Sequence, residues 1–169
     1  MAVLRTALAV APLGVHAVIY EGLGGLPHFN PDEDIDPRPG PATDLRQRIR
    51  EADALVFSIP EYAGALPGSF KNLLDWTIGD DQPGSIYEKP VGWINASPRG
   101  APNAHDQLRQ VLSYATATII HAACVHTPVT AAMIGADGLI ADTATRDVIV
   151  QALTNLAGHA TKGDEHTSR

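Results

Sequence analysis

The stretch that decides the fold is Ala54–Trp76, ALVFSIPEYAGALPGSFKNLLDW. Five of its first six residues are apolar, with only Ser58 between them, which suits a short strand buried on both faces. Pro60 ends that run. A loop of glycine, proline and one acid follows. Pro67 then stands where a helix can begin without losing a backbone donor. Phe70, Leu73 and Leu74 recur at helical spacing and give the next segment one apolar stripe. A buried strand, a tight loop and a helix in that order are one half of a parallel strand–helix–strand unit.

The same alternation extends outward. Residues 2–11 read as a helix ended near Pro12 and Gly14. Val15–Tyr20, VHAVIY, is β-branched and short and reads as a strand. Residues 21–41 are rich in Gly, Pro and Asp without any period, so they form a long loop. Thr43 is expected to cap a helix on which Leu45 and Ile49 share a face. Pro90–Ser97, PVGWINAS, is a further strand, followed by a helix over 101–117. TIIHAACV at 118–125 is the last strand, and a final helix begins near Thr143. The expectation is one α/β domain over 1–160, a parallel sheet covered by helices on both faces, with a polar tail at 161–169.

Composition narrows the class. The 169 residues are 44% hydrophobic and 18% charged, which supports one packed domain. The formal charge of −7 argues against a nucleic-acid partner, because phosphate binding needs a basic face. No apolar run reaches the ~18 residues of a membrane span. Cys124 is the single cysteine. An intrachain disulfide is therefore impossible, and a reducing, cytoplasmic location is expected. Cys124 lies in an apolar stretch and reads as a core residue rather than a nucleophile. The opening MAVLRTALAVA reads as a helix rather than a signal peptide, since its apolar residues recur at helical spacing.

In a parallel sheet of this kind, ligands sit beyond the C-terminal ends of the strands. Two loops meet that description: Pro60–Pro67 after one strand, and Ser97–Asn103 after the next. Gly64 and Gly68 remove side-chain bulk, and Tyr62 offers a ring to a flat ligand. Packing and local capping by Glu61 are the plainer reading of the same residues. Ser97–Asn103 precede a helix N-terminus, where a partial positive charge develops. Other patterns fail. His28, His105, His121 and His126 lack zinc-ligand spacing. Asp32, Glu33, Asp34 and Asp36 lack the central glycine and distal glutamate of a calcium loop. Gly22, Gly24 and Gly25 precede no helix, so the dinucleotide fingerprint is not met.

PEYAGALPGSFKNLLDW closely resembles the loop-helix motif of the NAD(P)H-dependent FMN reductases, in which P-E-Y-N and a small residue precede P-G-x-x-K-N-x-x-D-W. YEGLGGLPHFNPDED resembles that family's strand and LPxFNPD loop. KPVGWINASPRGAPNAHDQLRQVL and DGLIADTATRD resemble its later segments. The resemblance implies a flavodoxin-like doubly wound sheet and a reductase passing hydride from NADPH or NADH through FMN. The acceptor would be a small molecule: a quinone, azo compound, metal oxyanion or free flavin. It implies that Pro60, Glu61, Tyr62, Ala63 and Gly64 border the flavin, and that Ser97, Pro98, Arg99 and Gly100 lie near its ring in the second loop. It also implies a homodimer or homotetramer, with the helix at Pro67–Trp76 as a candidate interface. No catalytic acid or base is assigned, and no metal.

Two departures accompany the resemblance. Ala63 stands where the family commonly has Asn. No residue here matches the family's first strand or its G-S-x-R-x-x-S-x-N phosphate loop; Met1 falls where the following helix is under way. Two expectations follow. One is a shortened form of a reductase whose natural chain begins upstream. The other is a degenerate homologue without flavin, serving as a binding or oligomerisation module.

Overall fold

The computed structural model describes residues 1–164. Its elements in chain order are α1 (Ala2–Ala9), α2 (Gly40–Glu51), β1 (Leu55–Phe57), α3 (Gly68–Thr77), β2 (Pro90–Asn95), α4 (Pro102–Tyr114), β3 (Thr118–His126) and α5 (Thr143–Asp164). The strands form one parallel sheet in the order β1-β2-β3. β2 sits in the middle, and its last five residues are all buried.

Alternation along the strands divides the core in two. Leu55, Phe57, Val91 and Trp93 face one side, where α2, α3 and α4 supply residues such as Leu45, Leu74, Trp76, Leu108 and Leu112. Val56 and Ile94 face the other, against Val3 and Ala7 of α1 and Ile149 and Leu153 of α5. Helices therefore cover both faces, as the apolar strands require. Gly92 lets β2 and β3 approach at a break in register: a Cβ there would lie 2.8 Å from both the Cβ and the carbonyl oxygen of Ala123.

Several expectations change. Val15–Tyr20 forms no strand; among the described residues the sheet contains β1, β2 and β3 alone. β-Branched residues favour a pleat only beside a neighbour to pair with, and this segment has none. β1 is likewise three residues rather than six, and all three are only half-buried. α2 starts at Gly40, three residues before Thr43, with Pro39 at its N-cap and a proline in its first turn. α3 starts at Gly68, so Pro67 caps it rather than opening it. α5 continues through Asp164, so 161–164 are helical; 165–169 lie outside the described residues.

The long loop is fastened to α3 and α2 by buried and half-buried polar groups. Asn72 accepts from Phe29 N at 2.7 Å and donates to Pro27 O at 2.9 Å, while Trp76 Nε1 donates to Pro27 O at 2.9 Å. Phe29 meets Trp76 edge-on with ring centroids 5.0 Å apart. Arg46, 2% exposed, donates to Trp76 O at 2.7 Å, to Ile78 O at 3.0 Å and to Asp34 Oδ2 at 2.9 Å. It thereby satisfies the last carbonyls of α3 and anchors the loop at once.

Burial pushes the Asp34 carboxyl up. Hydrogen bonds and charge from Arg46 and Arg38 outweigh it and hold the group below its ordinary 3.8. Because the folded value is depressed, the stabilisation is fully present above about pH 4 and is lost as pH falls through the folded value. Asp34→Asn should therefore flatten the acid limb of a stability-versus-pH profile measured by urea unfolding. Arg46→Met removes one of the two guanidinium partners of Asp34 and leaves two carbonyls without their donor, and should cost about 2–3 kcal/mol in the same measurement at pH 7.

Candidate active site

The two loops named from the sequence come together. Glu61, Ala63 and Gly64 form one wall, and Ser97, Arg99 and Ala101 the other, of a cleft of about 320 Å³. It lies beyond the C-terminal ends of β1 and β2. Tyr62, 67% exposed, stands beside it in the first loop. Pro60 and Pro98 are exposed and Gly100 half-buried in the same two loops. A second hollow, within 32–39, is lined by Asp32, Glu33, Ile35 and Arg38, away from the strand ends.

The first loop is a tight turn. Tyr62 N donates to Ala65 O at 3.2 Å and Ala65 N to Tyr62 O at 3.0 Å. Between them Ala63 has φ 50° and Gly64 φ 70°, both left-handed. That is a type I′ turn, whose first central position favours Asn and whose second favours Gly. Gly64 is thus required by backbone geometry. A Cβ on Gly64 would sit 3.7 Å from Asn103 Nδ2, which shows how closely this turn faces the start of α4.

The second loop is organised by Asn95, a buried polar residue at the end of β2. Its side chain accepts from Ser97 N at 3.0 Å and donates to Gly100 O at 2.5 Å. Gly100 N donates to Ser97 O at 3.1 Å, and His126 Nε2 donates to Ser97 O at 2.8 Å from the end of β3. Gly100 at φ 85° and Ala101 at φ 44° then turn the chain into α4. His105 Nδ1 lies 2.9 Å from Ala101 O and donates to it, steadying that residue one turn into the helix.

α4 has no side-chain cap of its own. Glu61 supplies one from the other loop: its Oε2 accepts from Ala104 N at 3.1 Å, at the positive end of the helix. Gln107 of α4 answers by accepting from Leu66 N at 2.9 Å. Glu61 therefore lines the cleft while its carboxylate is engaged in joining the two walls.

Sequence reasoning missed two contributors. Ala101 lines the cleft, and its signal was the Gly-Ala-Pro at a helix start. Asn95 shapes the second loop, and its signal was a lone amide at the end of an apolar strand. Cys124 is half-buried; burial raises its thiol pKa above 9.0, so it is a poor nucleophile. Among the described residues no cluster of His, Cys, Asp or Glu is placed to hold a metal ion. No described helix is long and apolar enough to cross a membrane.

Two stability measurements test this construction. Ala63→Asn should raise stability by roughly 0.5–1 kcal/mol in urea unfolding, because Asn tolerates the left-handed region better than Ala. Glu61→Ala should lower it by about 1 kcal/mol, and Glu61→Gln, which keeps an acceptor oxygen, should recover most of that loss.

A sequence model described as NADPH-dependent FMN reductase matches residues 2–132. A 2-hydroxy-1,4-benzoquinone reductase of a Burkholderia species is 35% identical over 102 residues, covering 56% of this chain and 52% of that protein. An NAD(P)H-dependent FMN reductase of Pseudomonas aeruginosa is 32% identical over 114 residues, covering 67% of this chain and 61% of its own length. The chain thus spans about half to three-fifths of the length of these curated relatives. Among solved structures, the flavoenzyme NAD(P)H:(acceptor) oxidoreductase FerB from Paracoccus denitrificans superposes with a TM-score of 0.80 at 25% identity. That match covers 94% of this chain and 87% of FerB. The match across 2–132 and the parallel sheet beneath the cleft agree with one another: the chain belongs to the NADPH-dependent FMN reductase family and has its flavodoxin-like fold.

Proposed function

We propose that this protein is an FMN-dependent NAD(P)H oxidoreductase that reduces a small acceptor of the quinone or flavin class. One observation carries the reading. The cleft at the strand ends is walled by two loops of small residues, and each wall holds an alanine in a left-handed conformation: Ala63 at φ 50° and Ala101 at φ 44°. Non-glycine residues in that region are strained, and such strain persists where surrounding structure enforces it, often around a ligand. The relatives' names supply the reaction class, as quinone reductase or FMN reductase.

The walls fit a flat ring. At about 320 Å³ the cleft is at the small end of ligand pockets, which run roughly 300–1,000 Å³. Ala63, Gly64 and Ala101 bring main chain rather than bulky side chains to its edge. Tyr62 would pack its exposed ring against the isoalloxazine, and backbone groups of 63–64 and 97–101 would meet its polar rim. FMN, when bound, supplies the two-electron chemistry between nicotinamide and acceptor. The chain's part is to hold the ring at the mouth of the cleft. Asn95 holds the shape of the second wall, and the Glu61–Ala104 and Leu66–Gln107 bonds keep the two walls at fixed spacing. NADH and NADPH are both proposed as donors. A homodimer or homotetramer is proposed from the family resemblance alone; the apolar side chains Leu73, Leu74 and Trp76 of α3 are buried in the core.

Titration of the purified chain with FMN, followed by visible absorption, tests the reading. The expected outcome is a saturable shift of the flavin bands, then quinone-dependent oxidation of NADPH or NADH. Absence of any shift would remove the reductase reading for this chain and leave the flavin-free alternative.

A further inference from the structure

Building on the reductase reading above, we infer that Arg99 makes the cleft selective for electron acceptors that carry a negative charge, with sulfonated or ionised quinones as the class. The cleft's own charges point there. Of its lining residues only Glu61 and Arg99 are ionisable. The Glu61 carboxylate accepts from Ala104 N at the positive end of α4, so its charge is offset within the fold. Arg99 has no such offset. Among the basic side chains described, Arg99 and Arg5 alone make neither an ion pair nor a hydrogen bond. Yet the chain holds 19 acids against 12 Lys and Arg, and every described arginine besides these two finds a partner.

Position reinforces the charge. Arg99 sits at the crest of the turn that Asn95 closes, with its own N–H directed to Ser97 Oγ at 3.3 Å and Gly100 N to Ser97 O at 3.1 Å. The turn fixes the backbone of Arg99 at the cleft wall and leaves its side chain exposed to an incoming anion. A guanidinium offers a planar fork that matches a sulfonate or carboxylate and gains little from a neutral quinone. The reaction balances as NAD(P)H + quinone + H⁺ → NAD(P)⁺ + hydroquinone. The hydride comes from the nicotinamide and the proton from solvent. A sulfonate keeps its charge throughout, and an ionised hydroxyquinone takes up one further proton from solvent as it becomes a phenol; in both cases Arg99 contributes to binding of the oxidised acceptor rather than to the reducing step.

The test compares 1,4-naphthoquinone-2-sulfonate with neutral 2-methyl-1,4-naphthoquinone on the FMN-loaded protein, with NADH and with NADPH. Arg99→Gln should raise the ratio of the KM for the sulfonate to that for the neutral quinone about five- to tenfold, with the ratio of kcat values little changed. Arg99→Lys should recover part of the ratio. Raising the salt concentration should shrink the wild-type preference. Equilibrium binding of the sulfonate, read from the flavin spectrum without nicotinamide, should weaken by the same factor. Equal losses for both quinones would assign Arg99 to holding the flavin and overturn the inference. An unchanged ratio would make Arg99 a solvated loop residue, with the same consequence. A loss confined to NADPH would give the charge to the donor's phosphate and overturn it too. If the wild-type chain takes up no FMN, the reductase reading fails separately. Arg99 is then tested by the NMR shift of its Nε–H resonance on adding the sulfonate, where saturable movement supports the inference and none refutes it.

Discussion

The start of α4 is the constraint on which the cleft depends. A helix leaves its first amides without internal partners, and α4 begins on Ala101, which has no side-chain oxygen to offer them. Glu61 meets Ala104 N from across the cleft, and Gln107 takes the Leu66 amide in return. These two hydrogen bonds fix the distance between loops whose strands end side by side. A charge-assisted bond at a helix N-terminus is worth more than a neutral one, and here it is half-buried. The acid in the P-E-Y stretch is therefore accounted for, at the level of the fold, by the helix it caps.

The second half of the same motif is explained at the other end of α3. Asn72 and Trp76 are four residues apart and so share a helix face. Both reach Pro27 O, and Asn72 also takes the Phe29 amide. The K-N-x-x-D-W and L-P-x-F-N-P-D patterns belong together because one fastens the other. Arg46 completes the fastening from α2. It is buried because α3 ends on carbonyls that need a donor, and because Asp34 neutralises it. A substitution at any of these three side chains would loosen a loop remote from the cleft while leaving the strand ends in place.

Much of this is legible in the sequence, and the failures have physical causes. The order of helices and strands from 40 onward can be read because each buried face is apolar at its own period. The two cleft loops can be read from their glycines and prolines beyond the strands. Val15–Tyr20 misleads because its residues have strand propensity, whereas a strand is a pairing, and the partner is not a local property. Arg46 is invisible within RQRIRE, a run that looks solvated; burial there depends on the distant end of α3. Glu61 is legible as a candidate, but whether it meets a ligand or a helix depends on where α4 begins in space. Ala63 stands out as a departure from Asn, and the φ of 50° supplies the reason such a position favours Asn.

These observations together imply an order of rigidity within the site. β1 is short, half-buried and paired on one side only, so it is a weak anchor for the loop that follows it. β2 is central and fully buried over its last five residues, and its loop is closed by Asn95 and His126. The wall after β2 is thus fixed from within the sheet. The wall after β1 is fixed mainly by α4, through Glu61 and Leu66, and by the turn's own pair of hydrogen bonds. Strain at Ala63 falls on the wall with the weaker anchor, and Ala101, the other strained alanine, is 3% exposed and locked by its neighbours. The 60–67 turn is accordingly the less firmly anchored of the two walls, and the Glu61–Ala104 and Leu66–Gln107 bonds are what tie it to the 97–101 side.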